Sequence, residues 1–427
     1  MEQTTLFANI KSEPDNSSTF EDNMKLPIHR WYRYTAGFSA DWVASLLKAE
    51  QKSKNHKLRV LDPFVGSGTV VLESIFHDVD SIGFESNPYV NRIANAKLAW
   101  RKLDIDVLKK EANKVLRDAQ TLNICLPEYP SLIKRCYPAD VLAKLHALKM
   151  AWVSMQEGLY KEFIWFLITS ILRSSSPVGT AQWQYVLPNK SKAKVIDPYL
   201  AYSSKLEEII HDIYMAKAKE TSSTATIIMT DAREEVQMPQ NWADLVITSP
   251  PYANNYDYAD AMRLEMLFWG AEDPYFEAQK DAKAHLVRAC TQHVGKLKND
   301  VQSLINSELL SPIRNELIVV YQQLENERLN HGGKKNYHYM ITAYFYDLAK
   351  VFRTLYKLTR EDCKMCFVIG DSAPYGVYVP VDDWLGKLAI SAGFKNYHFE
   401  KLRDRNIKWK NRKHRVPLKE GRLWIEK

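Results

Sequence analysis

Apolar positions along the chain follow two rhythms that alternate. Short unbroken apolar runs occur at RVLDP (59–63), SIGFE (81–85), ATIIMTD (225–231), ADLVITS (243–249) and KMCFVIGD (364–371), and KNYHFEKL (395–402) and RLWIEK (422–427) close the chain. Runs of this length suit strands whose two faces are both covered. Between them the spacing becomes helical, as in SADWVASLLKAEQK (39–52), TVVLESIFHD (69–78), YFYDLAKVFRTLYKL (344–358) and VDDWLGKLAISAG (381–393). Ser39 is a predicted N-cap, with Trp42, Val43, Leu46 and Leu47 on one apolar face. Strand–helix–strand alternation predicts an α/β fold with a parallel sheet and crossover helices.

Two stretches interrupt that alternation. Residues 90–220 are almost entirely helical in pattern, from RIANAKLAWRKL through EFIWFLITSIL to SSKLEEIIHDIYMAKA, and a second helical block spans about 260–330. The predicted organisation is a flexible polar tail over 1–24 and a first part of the sheet domain over 25–99. A helical insertion, a candidate cap that contacts the partner, follows over 100–224. The second part of the sheet domain runs over 225–427, with its own insertion at about 270–335. Loop-like LRSSSPVGTAQWQY (172–185) sits between helices and carries Arg173, Gln182 and Gln184, residue types suited to base edges. The HRWYRY segment (29–34) is either a further contact to a polyanionic partner or aromatic packing next to a ligand pocket.

Composition narrows the class. The chain has 427 residues, 46% hydrophobic and 26% charged, which is ordinary for a globular protein. The first 24 residues lack an apolar signal core, and Phe163–Leu172 is about half a membrane span, so no membrane association and a cytoplasmic location are expected. Five cysteines are too few for a disulfide framework. The Cys363–Cys366 pair heads an apolar run and is expected to be buried strand, and no metal site is expected. Net charge is +7, and residues 401–415 alone hold eight Lys/Arg against Asp404. That segment, with Trp409 interleaved, suggests contact with a polyanion.

Two motifs carry chemistry. Asp62-Pro-Phe-Val-Gly-Ser-Gly-Thr69 stands where a strand ends and a helix begins. Glycines there let backbone approach a ligand, and a helix start offers free N–H groups. The pattern is neither G-x-G-x-x-G nor a P-loop. Glu85 ends the next strand, where an acid can hold a ribose diol. The second motif, Thr248-Ser-Pro-Pro-Tyr252, follows the strand DLVI. Its prolines leave carbonyls as acceptors, so Ser249 and the Pro250 carbonyl can accept from an exocyclic amino group while Tyr252 stacks on the base.

Together these motifs resemble the amino-methyltransferases of DNA, in particular bacterial modification methylases with a TSPPY motif. DPFVGSGT looks like their cofactor motif and TSPPY like their catalytic motif. FSADWVASLL, SIGFESNP, MTDA (229–232), IGDSAPYG and NRKHRVPLKE…LWIEK are similar to further family segments. The resemblance covers roughly 28–100 and 225–427. It implies a Rossmann-like, seven-stranded, mostly parallel methyltransferase sheet with helical insertions, S-adenosylmethionine as cofactor, and double-stranded DNA and a restriction endonuclease as partners. It implies cofactor contacts from Phe38, Asp62, Phe64, Gly66, Ser67, Gly68, Thr69, Glu85, Asn87 and Asp231, and a catalytic set of Ser249, Pro250, Pro251 and Tyr252. Arg403, Arg405, Lys408, Lys410, Arg412, Lys413 and Arg415 are the expected nucleic-acid contacts, because extruding a base needs the flanking duplex held. A Ser before Pro-Pro-Tyr leans towards cytosine N4. Adenine N6, and an RNA methyltransferase of the tRNA guanine-N2 type, are the alternatives, and a silent cofactor-binding protein is the rival from another class. Carbon-5 methylation needs a Pro-Cys nucleophile, and the chain has no Pro-Cys. The 187 residues from Asp62 to Ser249 exceed by about 100 what three strands and their crossovers need.

Overall fold

A computed structural model describes residues 22–34, 37–178, 195–219, 221–295, 297, 300–405 and 417–427. Its seven strands are β1 (Arg59–Asp62), β2 (Asp80–Phe84), β3 (Ala225–Ile228), β4 (Ala243–Thr248), β5 (Thr359–Gly370), β6 (Asn396–Arg405) and β7 (Leu418–Glu426). They form one sheet in the order β3-β2-β1-β4-β5-β7-β6, and only β7 runs against its neighbours. The α/β class, the seven strands and their mostly parallel pairing agree with the sequence reading. Strand β4 is buried at every position, the signature of a central parallel strand covered on both faces.

Helices α1 (Ala40–Lys52), α2 (Thr69–Phe76) and α3 (Pro88–Leu98) pack beside the first strands. Ser39 caps α1 as expected, its hydroxyl accepting from the Trp42 N–H at 3.3 Å. The long stretch before β3 holds α4 (Ile105–Thr121), α5 (Ser131–Cys136), α6 (Ala139–Val153), α7 (Leu159–Ile171) and α8 (Pro198–Lys217). Their apolar interior is continuous with Leu72 and Ile75 of α2 and with Tyr89, Val90 and Ile93 of α3. After β4 come α9 (Arg263–Trp269), α10 (Phe276–Asp281), α11 (Val301–Asn306) and α12 (Arg314–Glu327), then α13 (Tyr337–Leu358) before β5 and α14 (Val381–Ser391) before β6. Helices α13 and α14 share a second core with β5 and β7. Cys363 and Cys366 are fully buried within β5, as expected. Among the described residues no helix is long and apolar enough to cross a membrane.

Strand order reverses between β1 and β4. The chain leaves β1 towards β2 and β3 on one side, and β4 continues to β5 on the other. In an open parallel sheet the crevice at the carboxyl ends of two such strands is where ligands bind. Both sequence motifs lie at that point.

Candidate active site

Strand β1 ends at Asp62, and the chain then turns through two left-handed glycines, Gly66 (φ +55°) and Gly68 (φ +91°), into α2. A side chain at either position would be strained. The turn lies directly on β2: a Cβ at Gly83 would come within 2.1 Å of Val65. This brings the Gly66 N–H to 2.9 Å from one carboxylate oxygen of Glu85, while the Asn87 N–H donates to the other at 2.8 Å. Burial pushes the Glu85 carboxyl up to about 7 despite these two donors, and the nearby Asp62 adds to the rise. Asn87 caps α3 through its side-chain oxygen, which accepts from the Tyr89 and Val90 N–H groups.

The end of β4 stands beside this turn because Leu61 pairs with Val246. The Thr248 hydroxyl donates to Asp62 at 2.7 Å, and the Phe64 N–H donates to the same oxygen at 3.0 Å. Burial raises Asp62 to about 7 as well. Asp62 is therefore a tie between the two motifs. Ser249 follows, and its hydroxyl donates to the Val368 carbonyl of β5 at 3.2 Å. The Tyr252 N–H donates to the Tyr258 hydroxyl at 3.1 Å, which folds the loop beyond the motif back on itself. Tyr252 itself is held well above the ordinary phenol range by burial and then by the Glu420 charge, so its hydroxyl stays protonated.

A single pocket joins these parts. Pro63, Phe64, Gly66, Phe84, Glu85, Ser86 and Asn87 form one wall, and Thr230, Asp231 and Ala232 lie beyond β3. Ser249, Pro251 and Tyr258 come from the second motif, and Tyr34, His285, Leu286 and Val287 complete the lining. The wall suits a nucleoside cofactor on one observation: the side-chain NH2 of Asn87 is buried with no hydrogen-bond partner among the described residues, a donor left for a ligand. Two carboxyls that no cation neutralises among the described residues lie alongside, which suits a ligand carrying positive charge.

The structure brings together most of the predicted residues. Phe64, Gly66, Glu85, Asn87, Asp231, Ser249 and Pro251 line the pocket, and Asp62, Gly68 and Tyr252 shape it from behind. Pro250 sits buried between Ser249 and Pro251. Ser67 and Thr69 are buried within the turn and the start of α2. Phe38 is placed in the apolar cluster of Val43, Leu47 and Val60, 5.6 Å from the Trp42 ring, and does not contribute to the lining. The HRWYRY segment divides its labour: Trp31 packs on Phe163 and Phe166 of α7, whereas Tyr34 lines the pocket.

Asp231 holds a partner that the sequence reading missed. The Arg233 guanidinium grips its carboxylate at 2.6–3.0 Å and reaches Asp347 of α13 at 3.0 Å. Asp347 also accepts from Arg288, the residue after pocket-lining Val287, at 2.5 Å. Beyond the catalytic motif, Asn255 accepts from the Thr291 N–H at 2.9 Å and Asp257 bonds His293 at 2.9 Å. Residues 285–293 thus touch the pocket and brace the loop that follows it. Cys290 adds a thiol within 4.8 Å of the Asp257 and His293 donor atoms, and Lys283 faces that aspartate at 3.3 Å.

Two of the seven basic residues expected to contact nucleic acid fall within the described residues. Arg403 pairs with Glu420 at 2.8 Å. The Arg405 guanidinium lies over the Tyr252 ring, 5.4 Å from its centroid. Lys408, Lys410, Arg412, Lys413 and Arg415 lie outside the described residues, as do Gln182 and Gln184. Arg173 donates to Glu265 at 2.8 Å and 2.9 Å, a buried tie rather than a side chain free to read bases.

A Gly-rich turn after β1, an acid after β2 and Ser-Pro-Pro-Tyr after β4 all meet one pocket at the reversal of a seven-stranded sheet, an arrangement consistent with an α/β methyltransferase fold. No family model matches the chain. It is similar over nearly its whole length to type II methyltransferases. M.BsoBI of Geobacillus stearothermophilus is 24% identical over 91% of this chain and 82% of its own. M.AvaI of Nostoc sp. is 24% identical over 88% and 81%, and M.MvaI of Kocuria varians is 19% identical over 89% and 84%. The resemblance to bacterial modification methylases drawn from the motifs is borne out by these relatives.

Proposed function

We propose that this protein is a site-specific DNA methyltransferase that moves a methyl group from S-adenosylmethionine to the exocyclic N4 of cytosine. We assign it to the cytoplasm, as the modification partner of a restriction endonuclease. The observation that carries this reading is that Ser249 opens onto the same pocket as Glu85 and Asn87. Type II methyltransferase relatives support DNA as the substrate.

Glu85, Asn87, Asp231, Phe64 and the glycine turn would hold the cofactor, which when bound supplies an activated methyl on a sulfonium. The chain's own residues prepare the acceptor. The Ser249 proton is directed at Val368, so its oxygen is left with lone pairs for an amino group. The Pro250 carbonyl is the second acceptor, because proline leaves no competing N–H there. Two acceptors on the amino hydrogens draw the nitrogen lone pair out of conjugation and aim it at the methyl group. The nitrogen then loses its proton after transfer, so no carboxylate base is required. Tyr252, neutral and braced by Tyr258, supplies a face on which the extruded base can stack.

The test is transfer of labelled methyl from S-adenosylmethionine to unmethylated plasmid DNA, with total RNA in parallel. Label in DNA that Ser249→Ala abolishes is the expected result. Label in RNA alone, or tight cofactor binding without transfer to any nucleic acid, would overturn the reading.

A further inference from the structure

Arg405 ends β6, beside the basic segment, and its charge invites assignment to a phosphate. Its surroundings argue otherwise. The guanidinium donates to the Asp371 carbonyl at 3.1 Å, its Nε lies 3.6 Å from the Glu420 carboxylate, and its plane stands over Tyr252. Glu420 also takes Arg403, so the charge of this pair is already partly neutralised inside the protein. The fold makes room for this placement. A Cβ at Gly370, the last residue of β5, would lie 2.5 Å from the Arg405 Nη1 and 3.3 Å from its Cδ. Glycine there leaves the channel through which the side chain reaches Tyr252.

We propose that Arg405 is a positioning residue for the methyl-transfer step, a cationic backing that fixes the Tyr252 ring so that its other face receives the extruded base, and not a phosphate contact. The proposal rests on the DNA methyltransferase reading above. A cation over a phenol ring is attracted by the ring quadrupole and restricts its rotation. Arg rather than Lys suits the place because a planar fork can lie on the ring while its edges donate to Asp371 and approach Glu420.

Two variants separate this role from a phosphate contact. Arg405→Gln removes the charge and the fork. Gly370→Ala keeps the charge but drives the guanidinium off its seat, because the group in the way is the far end of a flexible side chain. Single-turnover methylation at saturating DNA should fall about 3- to 30-fold in both variants, as expected for loss of a partly buried cation–π contact. The slope of log binding constant against log salt should stay at the wild-type value, and Arg405→Lys should recover only part of the rate. A phosphate contact predicts the opposite pattern: Arg405→Gln lowers that slope by about one, Arg405→Lys restores it, and Gly370→Ala leaves the rate intact. That pattern, or wild-type rates in both variants, overturns the proposal while leaving the function standing. A wild-type protein inactive on every DNA overturns both. Thermal unfolding of each variant, unchanged from wild type, confirms that the rates report on folded protein.

Discussion

Two sets of buried carboxylates in this molecule have opposite fates. In the helical half, Asp212 of α8 is fully buried and accepts from the Ile28 N–H at 2.9 Å, from Arg30 at 2.5 Å and 3.1 Å, and from the Trp31 indole at 2.9 Å. Arg92 of α3 is similarly enclosed by Glu162 at 2.7 Å and Asp273 at 2.9 Å, with its guanidinium 3.8 Å over the Trp165 ring. At the pocket, Asp62 and Glu85 are held only by a hydroxyl and by main-chain N–H groups, and both rise to about 7. Burying a charge is costly unless it is paired. The first set offsets much of that cost with cations built into the fold, although burial still raises the Asp273 carboxyl. The second leaves it unmet, which is a reason to read the pocket as made for a cationic ligand.

Breaking a structural pair should have the largest effect. Asp212→Ala strands Arg30 and two further donors, the Ile28 N–H and the Trp31 indole, and should lower stability by about 3–5 kcal/mol in urea unfolding. Ser249→Ala should leave stability near wild type while slowing methyl transfer about a hundredfold or more, since it removes one of two acceptors at the reacting nitrogen. Glu85→Gln should weaken S-adenosylmethionine binding at least about tenfold and change stability by less than about 1 kcal/mol. Equal destabilisation by Asp212→Ala and Glu85→Gln would erase the contrast between the two regions.

Proton linkage sharpens the same comparison. Glu85 holds its proton in the folded protein up to about 7, above the ordinary value of 4.5, so the native state binds more protons than the unfolded chain between these limits. Its contribution to stability therefore falls as pH rises from about 4.5 to about 7. Affinity for the cationic cofactor should move the other way, rising up to tenfold per unit below about 7 and then levelling. In Glu85→Gln the part of that rise due to Glu85 should disappear, as read by calorimetric titration across pH. The smallest expected effect is that of Thr248→Val, which removes the hydroxyl from Asp62. It should cost about 0.5–1 kcal/mol and weaken the tie between the motifs.

How much of this was legible in the sequence follows from how far apart the partners are. The central strands could be read because a strand buried on both faces, such as β4, is a short continuous apolar run, whereas the edge strand β6, which buries no residue, was a candidate from KNYHFEKL. The glycine turn and Ser-Pro-Pro-Tyr could be read because their chemistry is contiguous. The Asp231–Arg233–Asp347–Arg288 chain could not, since its members are separated by up to 116 residues and no periodicity links them. Residues 285–293 lay in a block read as helical, and only the tertiary structure sets them across the pocket. The HRWYRY segment was open between a duplex contact and aromatic packing next to the pocket, and the structure shows Trp31 packed on α7 with Tyr34 in the pocket lining. Arg403 and Arg405 were grouped with the basic run by charge, and their neighbours Glu420 and Tyr252 could not be read because they arrive from β7 and from beyond β4.

The measurement that tests the central claim most directly is the mass of the nucleoside methylated when plasmid DNA is incubated with the protein and S-adenosylmethionine. The account predicts N4-methyldeoxycytidine, absent with Ser249→Ala. N6-methyldeoxyadenosine would contradict the assignment of Ser249 to a cytosine amino group.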